Sequence, residues 1–259
     1  MKVLFICDYL HPQYGYQEFH LAYALAKKLK KDEVDLITTD RYYPFNSYEN
    51  HRKVLGKRIH SKTFEKFENL NIFYYKPLIE FKSRVIPSLN FFKLIFSKKF
   101  DICFSHSSSS FVSLLLLIFS RFLPFKLVVD SHMHFIAHKK AKITKIYYLF
   151  LRLINKFFAS KSVIYFGVTK ESCEFLKIKE SVRENQIRLL PIGFSNKVFK
   201  VPKNLKNFYA IRKNIREYLD VKNEDILIMQ TGKLSIDKRP DLTIQASSFN
   251  LKRKKGHII

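Results

Sequence analysis

Cysteine is scarce in this 259-residue chain, and so are acidic residues and long apolar runs. The three cysteines, Cys7, Cys103 and Cys173, have no CxxC or zinc-type spacing, and each sits in an apolar or amphipathic run. That pattern excludes a disulfide framework and predicts reduced thiols in a cytosolic compartment. Acidic residues number 22 against 47 Lys and Arg, a formal net charge of +25, which favours anionic partners such as acidic lipid, phosphorylated substrates or nucleic acid. No RNP-like, zinc-finger or helix-turn-helix signature accompanies the charge, so no specific nucleic-acid partner is expected. The apolar stretch 3–7 stops at Asp8, too short for the core of a signal peptide. The richest later run, 111–119, is followed by Arg121 before it could span a bilayer. The expected location is cytoplasmic, with at most peripheral contact with the inner face of the membrane.

What is present is an alternation of strands and helices. Residues 3–7 read as a strand and 8–16 (DYLHPQYGY) as a loop; Leu21, Ala22, Leu25 and Leu29 then share one helical face, and 34–38 gives a second strand. Residues 40–70 read as a long surface loop or short helices. Further strands are expected at 72–75, 102–104, 127–129 and 163–168, with helices over 89–97 and 110–122 between them. The fold class is therefore α/β with a mostly parallel sheet. In such sheets ligands gather beyond the carboxyl ends of the strands, which makes 8–15, 105–110 and 130–134 one shared rim.

That rim holds Asp130, His132 and His134. Just past a strand, an Asp and two His can supply acid–base groups, orient a hydroxyl, bind a metal, or simply cap the strand and the following helix. A metal held through the HxH pair with His138 would need further His and Asp ligands at their own spacing, and none is visible, so no metal is expected. The serine run 107–110 lacks the glycine framing of a nucleophile elbow and reads as a helix start with N-cap character.

The helix expected over 141–158 is strongly amphipathic. Lys142, Lys145, Arg152 and Lys156 fall in one narrow arc, and Ile143, Ile146, Tyr147, Phe150, Ile154, Phe157 and Phe158 are placed on the opposite side. Two readings remain open: a core-packed helix with a basic solvent face, or a helix lying on a membrane surface.

The organising stretch is 226–246, ILIMQTGKLSIDKRPDLTIQA. A short apolar strand breaks at Gly232, Lys233 and Lys238 bracket a polar loop, and Pro240 with Asp241 starts a helix. Backbone N–H groups at that helix start, with two lysines, suit a phosphate or diphosphate. The stretch resembles the first strand and loop of the nucleotide-binding domain of family-4 glycosyltransferases, retaining enzymes of GT-B fold, whose pattern there is a glycine, a basic residue and a lysine five positions later. Gly232, Lys233 and Lys238 match it. Two other stretches resemble the family in the right order. The opening βαβ, with KKDEVDLIT at the second strand entry, is similar to the N-terminal domain, although Gly15 followed by Tyr16 stands where the family usually has two glycines. IRLLPIGFSNKVF, 187–199, is similar to the interdomain segment, with Ile192 in place of the usual Asn.

The resemblance implies a Rossmann-like N-terminal, acceptor-side domain over 1–190, a crossover at 191–202 and the beginning of a nucleotide-sugar-binding domain over 203–259. It implies that Lys233 and Lys238, with Gly232, hold the donor diphosphate and that His132 lies near the reacting sugar, with Gly15, Tyr16, Asp130 and His134 in loops that meet acceptor or donor. The implied partners are a nucleotide-sugar donor, which is a substrate and not a cofactor, and a glycan or lipid-linked hydroxyl acceptor in glycan, polysaccharide or glycolipid synthesis. Relatives acting on lipid-linked acceptors attach to the cytosolic leaflet, so an anionic membrane surface is a further expected partner, met by Lys142, Lys145, Arg152 and Lys156. The family's second domain normally runs on for about a hundred residues more and carries an E-x7-E pair; the sequence ends at Ile259 without them, so a truncated second domain is expected. A catalytically inactive remnant that binds anionic lipid or a protein partner is the alternative.

Overall fold

The computed structural model describes residues 1–11, 17–29, 33–44, 57–81, 84–135, 142–193, 202–229, 239–251 and 256–258. Two compact units divide the chain, Met1–Ile192 and Gly193–Ile259.

The first unit is built on an eight-stranded sheet in the order β10-β9-β8-β7-β1-β2-β4-β3, with β10 (Ile187–Leu189) at one edge. Its central strands are β1 (Val3–Ile6), β2 (Val34–Thr39), β7 (Ile102–Ser105) and β8 (Lys126–Ser131). They are buried on both faces, β1 and β2 at every residue; β1, most of β7 and the centre of β8 therefore read as continuous apolar runs without alternation, whereas β2 also buries Asp35, Thr38 and Thr39. All pairs from β10 to β4 are parallel. One apolar layer contains Leu4, Ile6, Val129 and Tyr165 with helices α2 (Leu89–Phe96) and α3 (Phe111–Phe119). The other contains Val3, Phe5, Phe104 and Val128 with α1 (Gln17–Lys28).

Residues 40–70 are not simply loop. Arg41 bridges Ile59, and β3 (Phe64–Phe67) pairs antiparallel with β4 (Leu70–Tyr75) across a turn in which Glu68 has φ 52°. A second hairpin, β5 (Ile79–Phe81) with β6 (Arg84–Ile86), follows. It is moored by Glu80, which meets Arg41 at 3.7 Å and pairs with Arg58, and by the Tyr9 hydroxyl, which donates to Glu80 at 3.0 Å.

Three helices of this unit position the site. Ser110 caps α3 by accepting from the Ser113 N–H, as the serine run suggested. Thr169 likewise caps α5 (Lys170–Lys179). Between them, α4 (Lys142–Leu153) ends in a π-helical turn, Ile154–Phe158. The expected apolar face of α4 is right at Ile154, which is buried, and at Tyr147, which packs partly buried against the core, but needs correction elsewhere: Tyr148 and Leu151 are core residues, whereas Ile146, Phe150, Phe157 and Phe158 are exposed. Tyr148 and Leu151 face the core because β9 (Ile164–Gly167) and α5 lie on that side, where Tyr148 meets the Phe175 ring edge-on at 5.5 Å. Lys145, Arg152 and Lys156 are exposed, and Arg152 donates to the Ile178 carbonyl; of Lys142 only the backbone is described.

In the second unit, α6 (Leu205–Tyr218) is capped by Asn204, whose side chain accepts from the Asn207 N–H. β11 (Ile226–Ile228) pairs parallel with β12 (Gly256–Ile258), the strand begun by the terminal GHII, and α7 (Pro240–Leu251) lies between them in sequence.

Candidate functional site

Strand order fixes where a site can form. From β1 the chain moves to β2 on one side and later to β7 on the other, so the crevice beyond the carboxyl ends of β1 and β7 is the switch point of the sheet. Asp8 lies just past β1, His106 follows β7, and Asp130 is the penultimate residue of β8. The His106 N–H donates to the Ile6 carbonyl at 2.8 Å, locking these ends together.

Asp130 is the hub. Its Oδ2 takes a hydrogen bond from His106 Nδ1 at 2.8 Å and a longer one from His132 Nε2 at 3.4 Å; its Oδ1 accepts from the Ser107 N–H at 2.7 Å. Burial alone would raise this carboxyl, but the His106 contact, the His132 hydrogen bond and the Ser107 N–H together hold it well below the usual carboxylate range. Ser107 pays for its N–H direction with a left-handed backbone, φ 70°, which is strained for a residue with a Cβ. The Ser108 N–H donates to the Asp130 carbonyl at 2.7 Å, so the whole serine turn is wrapped around this one residue.

His132 is partly open, its side chain 39% exposed. The hydrogen bond to Asp130 raises its pKa, against an opposing effect of burial. His132 is therefore an imidazole held by a buried carboxylate at the mouth of the crevice, the arrangement that orients a ring and stabilises its protonated form. His134 faces elsewhere: its Nδ1 meets Glu171, in the first turn of α5, at 3.1 Å.

On the other flank, Asp8 is half-buried with its Oδ1 shielded and without a hydrogen-bond partner, and desolvation raises its carboxyl to about 7 despite the nearby Arg84. Arg84 reaches from β6 to the Ser109 carbonyl and to Ser109 Oγ, the latter at 3.1 Å, and the Tyr147 hydroxyl donates to the same carbonyl at 2.6 Å. Glu180, the C-cap of α5, accepts from Ser108 Oγ at 2.9 Å. Thus α4, α5 and β6 all converge on the turn that carries Asp130's partners.

The structure brings Asp130 and His132 together and adds His106 and Asp8, which lay within the expected rim without being assigned a role, and Glu180, which lay outside it. His106 had one available signal, its place immediately after a buried strand. Gly15, Tyr16, His138, Gly232, Lys233 and Lys238 lie outside the described residues. Among the described residues, no group of three or more His, Cys, Asp or Glu is arranged to hold a metal ion, and no helix is long and apolar enough to cross a membrane.

No protein-family model matches the chain, and no curated protein matches it. Solved structures do. The chain superposes over its full length on a sucrose-phosphate synthase from Thermosynechococcus elongatus, with a TM-score of 0.57 and 13% identity, covering 61% of that protein. It is also similar to a glycosyltransferase from Rickettsia africae ESF-5, with a TM-score of 0.51, 15% identity and 67% of that chain covered. Identities this low carry the fold: the chain has the Rossmann-like α/β architecture of GT-B glycosyltransferases, and spans about three-fifths of the synthase and two-thirds of the second enzyme.

Proposed function

We propose that the chain serves retaining glycosyl transfer of the family-4 kind, moving a sugar from a nucleotide-diphosphate donor to a hydroxyl acceptor in glycan, polysaccharide or glycolipid synthesis. The observation that carries this is the Asp130–His132 pair at the switch point of a sheet whose fold is shared with two glycosyltransferases. In this reading residues 1–190 form the acceptor side, 191–202 the crossover, and 203–259 belong to the donor domain. His132 lies beside the reacting sugar. Lys233 and Lys238, between β11 and α7, stabilise negative charge on the departing diphosphate, electrostatic work that suits a helix N-terminus. Asp241 in the first turn of α7 does not oppose them, because the Arg239 guanidinium neutralises it at 2.7 Å.

The test is calorimetric titration with UDP-, GDP- and ADP-sugars. Saturable binding of one of them, lost on Lys233→Ala with Lys238→Ala, is expected. Binding indifferent to that double substitution, or no binding of any donor, overturns the proposal.

A lipid-linked acceptor at an anionic, cytosolic membrane face is the finer part of the reading. Its support is the exposed side of α4, where Lys145 and Lys156 flank an apolar stripe of Ile146, Leu149, Phe150, Leu153 and Phe157. Cosedimentation with phosphatidylglycerol vesicles should exceed that with phosphatidylcholine. Lys145→Ala with Lys156→Ala should weaken it about 30-fold, at roughly 1 kcal/mol per lysine. Equal binding to both vesicle types removes the membrane from the proposal.

A further inference from the structure

We propose that His106 is a second substrate-contacting histidine, and that it and His132 together seat the hydroxyl groups of a neutral sugar. The inference rests on the glycosyl-transfer reading for the kind of ligand, but on its own geometry for the site.

Asp130 dictates the tautomers. An ionised carboxylate only accepts, so the His106 nitrogen facing it, Nδ1, carries the proton, and Nε2 of the neutral ring is left as a lone-pair acceptor. For His132 the assignment is reversed: Nε2 faces Asp130, and Nδ1 of the neutral ring is the free acceptor. One carboxylate thus orients two imidazoles oppositely, His106 with Nε2 and His132 with Nδ1 turned away from it; His132 Nδ1 donates while that ring is protonated and accepts once it is neutral.

His106 does not behave as an ordinary core histidine. Its side chain is 4% exposed, it packs against the Phe104 ring at 4.9 Å and the Phe5 ring at 6.1 Å, and its Nε2 is buried without a hydrogen-bond partner. Gln17, the first residue of α1, leaves its Oε1 in the same condition. The first turn of α1 belongs to this rim, because the Glu18 carboxylate acts on both His132 and Cys7. A buried acceptor left unmatched costs about 1–3 kcal/mol, so the molecule keeps two costly acceptors beside its switch-point crevice. Acceptors call for donors. A sugar hydroxyl supplies an O–H without charge, whereas a carboxylate supplies none and inorganic phosphate brings its O–H with negative charge that meets Asp130 and Glu18.

The test uses the whole chain with 15N-labelled histidine. In the free protein, His106 Nε2 should show the shift of an unprotonated nitrogen; a protonated Nε2 overturns the assignment without any variant. Methyl α-glycosides of glucose, galactose, mannose and N-acetylglucosamine are then titrated, with inorganic phosphate as the contrasting probe. We expect a saturable shift at His106 Nε2 with at least one glycoside and none with phosphate. His106→Phe keeps the aromatic packing and removes both the Nε2 acceptor and the Nδ1 donor to Asp130, and should weaken glycoside binding at least tenfold while the fold, checked by circular dichroism, persists. No shift with any glycoside means that only water meets Nε2, and refutes the proposal; so does unchanged affinity in a folded His106→Phe. A glycoside shift in a chain that binds no nucleotide-sugar would sink the transfer reading and leave His106 assigned. Donor binding with no shift does the reverse.

Discussion

Glu180→Gln isolates one buried charge next to the site. Glu180 is fully buried at the C-cap of α5, where the helix dipole already disfavours negative charge. Its Oε1 accepts from Ser108 Oγ, and its Oε2 has no partner. Burial, the largest cause, raises the carboxyl from 4.5 to about 7, with the Ser108 hydrogen bond and Arg84 pulling the other way. The folded chain therefore keeps this proton between pH 4.5 and about 7 while the unfolded chain releases it. Stability is highest at or below the unfolded value and falls as pH rises through the folded one. The shift corresponds to roughly 3 kcal/mol at 1.36 kcal/mol per unit, with no discount for solvent because the group is fully buried. Glutamine has the same shape and no proton to lose. The stability of Glu180→Gln minus that of the parent should thus rise by about 3 kcal/mol between pH 4.5 and 8, whatever constant offset the amide adds. Native-state hydrogen exchange read on β7 and β8 peptides measures this in the first unit alone. A difference that stays flat with pH refutes the argument. Asp8, also raised to about 7 and also facing Arg84, titrates in both proteins and cancels to first order.

Asp130→Asn leaves two histidines and the Ser107 N–H without their buried carboxylate. It should destabilise the first unit by about 3–5 kcal/mol, read by the same exchange measurement. In the parent, the raised His132 pKa adds stability that is complete below its unfolded value of 6.5 and fades as pH rises through the folded value; proton NMR titration should find His132 dropping toward its ordinary value in Asp130→Asn. Gly167→Ala places a Cβ 2.5 Å from Cys173 Sγ and 2.6 Å from the Cys173 backbone N. Backbone cannot step aside as a flexible side chain can, so α5 must lift from β9, at a cost of about 3 kcal/mol visible as a lowered Tm.

The parallel strands were legible because they are buried on both faces. VLFI, ICFS and the centre of KLVVDS are apolar without interruption, and no exposed element needs such a run. The strands β3, β5 and β6 were not. FEKF and IEF are three or four residues long, largely exposed, and paired at an edge or in an isolated hairpin, so nothing in their composition separates them from loop. The site divides along the same line. His132 stands two residues from Asp130 and was found by local pattern, whereas His106 meets Asp130 from 24 residues away, and Ser108 meets Glu180 across 72. Such pairs exist only after β7, β8 and α5 have taken their places.

The helix α4 shows how a correct period can still point to the wrong face. Around its axis lie three arcs: the core side with Tyr148, Leu151, Ile154 and Asn155, a basic strip with Lys145, Arg152 and Lys156, and an exposed apolar strip with Ile146, Phe150 and Phe157. A hydrophobic vector adds the two apolar arcs and falls between them, opposite the lysines. An arc chosen that way mixes members of both strips, as Ile154 and Phe150 show in the expected face. A helix that serves only the core has one apolar arc, and its vector finds it. The presence of two arcs is therefore information in its own right: the second stripe contributes nothing to the packing of the first unit, and a protein carries exposed Ile, Leu and Phe at helical spacing at a cost in solubility. The basic strip beside that stripe is what supports the anionic membrane face proposed above.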